Sequence, residues 1–231
     1  IEIQELSDSL RNMREILQST QERERQFLQS TSHNLKTPVM VIKGYAQSII
    51  DGVQISDKEA AAQTIQNEAA TLQRRIDQLL KLNTYGHAFE ADVKKDTIRL
   101  DRLINSLIHK MKAVRPDLTW QVALEEIEIE GNSDALLTAF ENLLENGLRF
   151  ATTTMSVHMH REGYGMIIDL SNDGPGFTEP QPDSLFERYK KDRAGGYGLG
   201  LAIVKQVIEG HGGSIHAENL EQGVRFRVRL G

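Results

Sequence analysis

Apolar residues in the first third of the chain recur mostly at steps of three and four, the spacing of helices that each bury one face. The first run comprises Leu6, Leu10, Met13, Leu17 and, further on, Phe27. The second run comprises Ile65, Ala69, Leu72, Ile76 and Leu79. Two helices cannot cover two such stripes by themselves. The pattern therefore predicts an antiparallel helical hairpin that pairs with a second copy in a homodimer, as a four-helix bundle.

Turn and capping residues predict where the two helices meet. Asp51 and Gly52 end the first helix, and Ser56 with Glu59 three residues later forms a capping box that begins the second. Pro38 lies inside the first helix and removes one backbone donor, so a bend is expected near it.

After residue 86 the pattern changes to short strand-like runs that alternate with helical segments. Strands are predicted at residues 97–100, 120–124, 127–130, 155–161, 166–171, 214–218 and 224–230. Helices are predicted at residues 101–114, 134–150 and 199–211, packed on one face of a mixed sheet. The expected fold class is α+β, with an N-terminal antiparallel helical hairpin followed by an α/β sandwich.

Composition excludes several classes of function. The 231 residues are 39% hydrophobic and 26% charged, which is typical of a chain that can bury a core. The net charge of −6 disfavours nucleic acid as the main partner, and the absence of cysteine excludes disulfides and thiolate chemistry. No run approaches the roughly 20 apolar residues that span a bilayer. The absence of cysteine is compatible with the cytosol, and because the chain opens with Ile1 rather than Met, we expect a fragment of a longer protein.

His33 is a candidate nucleophile in the first helix. It lies six residues after Phe27, about 240° around the helix, and so faces away from the apolar stripe. A neutral, exposed imidazole can act as a nucleophile near pH 7. Taken alone, a surface histidine is more often only solvated, and that interpretation applies to the other six histidines.

Polar side chains share one face of the predicted helix 134–150. Asn142, Asn146 and Arg149 follow at offsets of four and three. Amide oxygens can hold a hard cation such as Mg²⁺, and a guanidinium can bind phosphate oxygens. A polar helix face without any ligand would show the same spacing.

Two glycine-rich segments could bring backbone close to a ligand. The turn at 173–176 follows a strand, and Asp173 could accept a hydrogen bond from an exocyclic amine. The segment at 195–201 runs into an apolar helix, whose N-terminal N–H groups favour phosphate. This segment matches neither a Walker A nor a Rossmann pattern, and each glycine motif alone is weak evidence.

In this order, the motifs resemble those of the sensor histidine kinases of two-component systems, over nearly the whole chain. They are an H-box at 32–38, an N-box at 142–150, a DxGxG-type turn at 173–176, an aromatic-containing box at 185–189 and a GxGLGL loop at 196–201. The resemblance implies a signalling helix at 1–26, a dimerisation and phosphotransfer hairpin at 27–85, and a Bergerat-type ATP-binding domain at 90–231.

The resemblance also implies roles for single residues. Asn146 would coordinate Mg²⁺ with the support of Asn142, and Arg149 would approach the phosphates of ATP. Phe150 would flank the adenine, and Asp173 would accept from its amino group. The other implied nucleotide-binding residues are Gly174, Gly176, Phe186, Lys191, Gly196, Gly198, Leu199, Gly200 and Leu201.

The implied chemistry centres on His33. It would take the γ-phosphoryl group of ATP and pass it to an Asp of a response regulator receiver domain, and Thr37 would help to dephosphorylate that regulator. Asn34 stands where the family usually has an acid that accepts the imidazole proton, so weak autokinase activity is expected. The intact protein is expected in the plasma membrane with this part facing the cytoplasm.

Two other functions stay open on the sequence alone. One is an ATPase of the same fold that drives conformational change without a phosphohistidine. The other is a dimerising scaffold, or a phosphatase-biased protein that senses nucleotide, for which Asn34 is an argument. The stimulus, the cognate regulator and the choice between phosphorylation within a protomer or across the dimer are not encoded in these motifs.

Overall fold

The computed structural model describes residues 2–52, 58–88, 96–177, 185–186 and 199–231. The chain divides into two compact units, Ile1–Asp77 and Gln78–Gly231. The helices are α1 (Glu2–Ile50), α2 (Lys58–Ala88), α3 (Leu100–Val114), α4 (Ser133–Phe150) and α5 (Gly200–Gly210). The strands are β1 (Asp96–Arg99), β2 (Thr119–Leu124), β3 (Glu128–Gly131), β4 (Thr154–Glu162), β5 (Gly165–Asn172), β6 (Ser214–Asn219) and β7 (Val224–Leu230). Within these described ranges, no helix has the length and apolar character of a membrane span.

Two long helices form the predicted hairpin in the first unit. α1 continues through Pro38, and Gly52 just beyond its end has a φ of 66°, the left-handed conformation in which glycine commonly ends a helix. The Arg75 side chain on α2 donates a hydrogen bond to the backbone carbonyl of Asn34 on α1. These two residues lie at nearly equal distances along the chain from the turn, so the helices run antiparallel. Ser56 of the predicted capping box lies outside the described residues, and the bend at Pro38 stays a prediction.

Large apolar side chains are left exposed along both helices of a single protomer. They are Leu10, Met13, Leu17, Leu28, Val39, Met40, Ile49, Ile50, Ile76 and Leu80. Large apolar side chains that stay exposed along two neighbouring helices are candidates for an interaction surface.

The second unit contains the predicted mixed sheet. Five strands pair in the order β2-β4-β5-β7-β6, with β2 and β4 parallel and the other pairs antiparallel. β1 and β3 form a separate antiparallel pair, which the sequence-based assignment did not separate from the main sheet. The chain leaves the main sheet after β2 and pairs Glu128 with Arg99, immediately before α3 begins.

Helices cover one face of the five-stranded sheet, as predicted. β7 alternates between buried apolar residues such as Phe226 and Val228 and charged residues such as Arg227, which pairs with Asp169 on β5 with Nε 2.8 Å from Oδ1. α4 packs against both α5 and β5. This packing brings the end of α4, the end of β5 and the start of α5 into one region of the unit.

Candidate functional site

His33 is exposed on α1, which confirms the prediction from its helical phase. The neighbouring hydroxyls bond back to the helix: Ser32 Oγ donates to the carbonyl of Leu28 at 2.9 Å, and Thr37 Oγ1 donates to the carbonyl of His33 at 3.1 Å. These bonds leave the hydroxyl oxygens able to accept from water or from another protein. The imidazole is therefore presented on a solvent-facing turn of α1.

Asn34, next to His33, is half-buried and has no acid character. Its Nδ2 atom lies 3.5 Å from Ser30 Oγ, one turn earlier on the same helix. A carboxamide cannot take up a proton near neutral pH as a carboxylate does. The effect of Asn34 on autokinase activity stays a prediction.

Asn142 joins α4 to the first turn of α5. Its Nδ2 atom donates to the carbonyl of Thr138 at 2.8 Å. Its Oδ1 atom lies against Gly200, where a Cβ atom would come within 2.6 Å of that oxygen. A side chain at position 200 would have to displace the Asn142 amide, so Gly200 permits the close approach of the two helices.

Asn146 and Arg149 follow on the same helix, one and two turns after Asn142. Asn146 is half-buried, and its side chain makes no hydrogen bond within the described ranges. The Arg149 guanidinium is exposed and lies over the Phe150 ring, 4.8 Å from its centroid. The amide oxygen and the cation that the sequence suggested for metal and phosphate therefore both reach the surface of the unit.

Gly174 brings the turn after β5 against the end of α4. A Cβ atom on Gly174 would lie 2.1 Å from the carbonyl oxygen of Phe150, so any other residue would force the two segments apart. Gly176 is less constrained, since its Cβ atom would lie 3.1 Å from Asn219 Oδ1. The Asn219 amide accepts from the Phe177 N–H at 2.7 Å and donates to the Phe177 carbonyl at 2.9 Å, which fixes the end of the turn.

Asn172 is a functional candidate that the sequence-based reading missed. Its side chain is only 5% exposed, and its Oδ1 atom accepts a hydrogen bond from the Gly174 N–H at 2.9 Å. Gly174 and Gly176 fall two and four residues after Asn172. In a DxGxG pattern the two glycines follow the acidic residue by two and four positions. Asn172, and not Asp173, therefore occupies the position of that acidic residue.

Asp173 points toward the start of β4. Because β4 and β5 pair Met155 with Asn172, Asp173 comes beside Thr152 and Thr153. Its carboxylate accepts from the Thr152 N–H at 2.9 Å, from the Thr153 N–H at 3.0 Å and from the Thr153 hydroxyl.

These hydrogen bonds set the charge state of Asp173. Burial alone would raise the pKa of this carboxyl, but the bonds from the Thr153 hydroxyl and from the N–H groups of residues 152–154 outweigh it. The pKa of Asp173 therefore lies well below the usual carboxyl range. Its role at an adenine amino group stays a prediction, and Asn172 is a second candidate for that contact.

Phe186 is held in an aromatic cluster. It is only 3% exposed, and its ring packs edge-on against Phe226, with centroids 6.2 Å apart. Phe177 packs on the same Phe226 ring, with centroids 5.8 Å apart. The cluster thus fixes Phe177 and Phe186 to Phe226 on β7, and the role of Phe186 in nucleotide binding stays a prediction.

The structure describes only part of the glycine-rich segment at 195–201, where phosphate binding was predicted. Lys191, Gly196 and Gly198 lie outside the described residues. Leu199 is buried, and its carbonyl accepts from the Ile203 N–H at 2.9 Å, which closes the first turn of α5. Gly200 and Leu201 are half-buried at the start of that helix.

Two family models match the chain in the order that the motifs suggested. Residues 23–87 match HisKA, the His Kinase A (phospho-acceptor) domain. Residues 131–231 match HATPase_c, the histidine kinase-, DNA gyrase B- and HSP90-like ATPase. His33 lies inside the first match, and the nucleotide-binding candidates lie inside the second.

A curated relative is similar along the whole chain. The sensor histidine kinase CssS of Bacillus subtilis is 36% identical over 231 residues, which cover 99% of this chain and 51% of CssS. The chain thus spans about half the length of this relative.

Solved structures share the fold. Acinetobacter baumannii histidine kinase AdeS superposes with a TM-score of 0.72 at 19% identity, covering 86% of this chain and 97% of that one. Histidine kinase ThkA, in complex with the response regulator protein TrrA, gives a TM-score of 0.70 at 19% identity, covering 86% of this chain and 59% of ThkA.

Proposed function

Because this chain belongs to the sensor histidine kinases of two-component systems, we propose that its second unit binds ATP and that His33 receives the γ-phosphoryl group. One observation carries the proposal. A single chain combines an exposed imidazole inside the HisKA match with an amide-bearing helix, a glycine turn and a helix start that meet inside the HATPase_c match.

Amide and glycine positions in the second unit support nucleotide binding. Gly200 begins α5, so its backbone belongs to a helix N-terminus, which favours phosphate groups. Arg149 would contribute a positive charge to the phosphates, and the Phe150 ring would stack beside the base. In this arrangement Asn142 positions the start of α5 and does not itself have to touch ATP.

The donor set near α4 fits Mg²⁺. The Asn146 side chain supplies a hard amide oxygen that is not engaged by another described residue. Asn146 would hold the ion together with phosphate oxygens of the nucleotide. When bound, Mg²⁺ neutralises charge that develops on the phosphates during transfer.

Asn172 would contact the purine ring. Its Oδ1 atom already accepts from the Gly174 N–H, so the remaining polar atom, Nδ2, can only donate. Asp173 would instead hold the Thr152–Thr153 backbone that flanks the same turn. Asn172 would thus offer the purine a hydrogen-bond donor, whereas the carboxylate of the DxGxG pattern offers an acceptor.

The chemical step is a displacement at phosphorus. One ring nitrogen of His33 forms a bond to the γ-phosphorus while the bond from that phosphorus to the ADP oxygen breaks. The imidazole proton passes to solvent, because the neighbouring Asn34 amide cannot accept it. The turn of α1 around His33 supplies position rather than acid–base assistance.

The phosphoryl group would then pass from His33 to an Asp of a response regulator receiver domain. The ThkA structure contains such a regulator, TrrA, and supports a similar partner for this chain. Thr37 Oγ1 donates its proton to the His33 carbonyl, so its oxygen can accept a hydrogen bond from a water molecule. This geometry supports a part for Thr37 in regulator dephosphorylation.

The exposed apolar stripe of α1 and α2 supports a homodimer. Side chains such as Met13, Leu28 and Ile76 would bury against their equivalents in a second protomer, as the HisKA match also suggests. ATP and receiver domains are cytoplasmic, so this part would face the cytoplasm. A plasma-membrane location for the whole protein stays a prediction.

The proposal is tested with γ-labelled ATP and Mg²⁺. The wild-type chain should acquire protein-bound label that is stable in base and labile in acid, the behaviour of a phosphorylated imidazole. Asn146→Ala should lose most of the label, whereas Asn105→Ala, an exposed amide on α3, should keep it. Release of inorganic phosphate without any protein-bound label would instead identify an ATPase and contradict the proposal.

A further inference from the structure

Pro38 leaves one backbone acceptor open in α1, directly beside His33. In an α-helix each carbonyl accepts from the N–H four residues later. The residue four after Asn34 is Pro38, which has no N–H, yet α1 continues through it. The turn that contains His33 and Asn34 therefore lacks one of its helical hydrogen bonds, and helices commonly bend at such a site.

Arg75 supplies the missing donor from the other helix of the hairpin. Its Nη1 atom donates to the Asn34 carbonyl oxygen, and its side chain is only 5% exposed. Pro38 is buried as well. Hydrogen bonds from a charged donor are stronger than neutral ones, particularly away from water. The bond thus ties α2 to the one carbonyl of this turn that α1 cannot satisfy by itself.

The neighbouring arginine shows that this placement is specific. Arg74 is exposed, and its guanidinium donates to Thr71 Oγ1 on its own helix at 3.2 Å. Burial lowers the pKa of Arg75, an effect partly offset by Glu68. Arg74 and Arg75 therefore form a natural pair for comparison, with the same side chain in two different surroundings.

We propose that Arg75 is a positioning residue for phosphoryl transfer, which replaces the hydrogen bond that Pro38 removes and so holds the His33 turn in register. Thr37, which bonds to the His33 carbonyl, lies on the same turn and would be held with it. The expected effect on the rate of His33 phosphorylation rests on the proposed function. The expected effect on the order of α1 around Pro38 does not depend on ATP. No part of the nucleotide-binding candidate set lies on this turn.

The kinetic test compares Arg75→Leu, Arg75→Lys and Arg74→Leu. R75L should lower the rate of His33 phosphorylation at saturating ATP by about tenfold, because small losses of alignment are costly in transfer reactions. The KM for ATP should not change, since the candidate nucleotide-binding residues lie in the other unit. R75K should recover much of the rate, because an ammonium group can still donate, and R74L should match the wild type.

Two kinetic outcomes would overturn the proposal. One is a wild-type rate in R75L, and the other is an equal loss in R74L and R75L. Circular dichroism melts and solution mass should show that each variant is folded and has the wild-type assembly. R75L leaves the buried Asn34 carbonyl without its donor, so R75K, which keeps a donor, is the variant that separates lost alignment from a general loss of stability.

A second measurement reports the distance between two points on α1 on either side of Pro38. The chain has no cysteine, so Gln29→Cys with Lys43→Cys places two spin labels at exposed positions on either side of Pro38. Labelled chains diluted with unlabelled ones report distances within one protomer. R75L should broaden the distance distribution and R74L should not. An unchanged distribution in R75L would overturn the proposal, whereas a wild type that takes no label from ATP would contradict the proposed function alone.

Discussion

The amide oxygen of Asn142 lies against Gly200, where a Cβ atom would approach it to 2.6 Å. The contact joins α4, which carries Asn146 and Arg149, to the first turn of α5. Both helices supply candidate nucleotide-binding residues within one unit of the chain. The relative position of these two helices should therefore control ATP affinity.

Gly200→Ala should weaken ATP binding. The added methyl group would displace the Asn142 amide or the start of α5, and we expect a rise of about tenfold in the ATP dissociation constant, or ~1.4 kcal/mol. Calorimetric titration with Mg²⁺ and ATP measures it. Gly44→Ala is the matched control, because that helical glycine has open space around its Cβ position. Equal affinities in the wild type and G200A would contradict the prediction.

Asn34→Asp should raise the rate of autophosphorylation. A carboxylate beside His33 can accept the imidazole proton, and positioned general bases contribute roughly 100-fold or more. The initial rate of label transfer from ATP is the measurement. Asn67→Asp, which adds the same charge at an exposed site on α2, should not change it. If N34D reacted no faster than the wild type, the proton-acceptor argument would be wrong.

Asn172→Asp should change the choice of base. The wild-type Nδ2 atom is a donor and suits the 6-oxo group of inosine triphosphate, whereas a carboxylate would accept from the adenine amino group. We expect the ratio of ATP to inosine triphosphate affinity to rise about tenfold in N172D, the value of one hydrogen bond to a charged group.

Asp173→Asn is the control for base choice, because it alters the adjacent carboxylate while leaving the Asn172 amide in place. It should leave the ratio of the two nucleotide affinities near its wild-type value. A ratio that stayed constant in N172D, or shifted equally in both variants, would remove Asn172 from the base site.

Asp173 should also make stability depend on acid pH. Its pKa is lower in the folded chain than the unfolded value of about 4, so its stabilising effect is full above that pH and declines as the pH falls. D173N should lower the free energy of unfolding by roughly 1–2 kcal/mol at neutral pH. Urea titrations followed by the fluorescence of Trp120 should show that this difference narrows below about pH 4. A constant difference would contradict the assigned charge state.

Sequence periodicity predicted most of the fold. The predicted helix at 134–150 differs from α4 by one residue at its start, where the structure shows the Asn132 side chain capping the helix. The separate pairing of β1 with β3 was not predictable, since hydrophobic alternation identifies a strand but not its partner. The segment 187–198, with Lys191, Gly196 and Gly198, lies outside the described residues, so its predicted phosphate contacts stay predictions.

The positions of two polar residues, Asn172 and Arg75, were not predicted from the sequence. The spacing of Gly174 and Gly176 indicates Asn172, whereas the carboxylate next to Gly174 favours Asp173 on residue type alone. Arg75 gave no such signal. A charged residue beside an apolar helical stripe normally faces solvent, as Arg74 does, and only the antiparallel register of the hairpin brings Arg75 to the Asn34 carbonyl.

The central claim is tested most directly by locating the phosphoryl group after incubation with ATP and Mg²⁺. Mass spectrometry under alkaline conditions should find it on His33 in the wild-type chain and in His109→Gln, a change at an exposed histidine of α3. His33→Gln should carry none while still binding ATP. Phosphorylation of any other residue in the wild type, or persistence of the label in H33Q, would contradict the account.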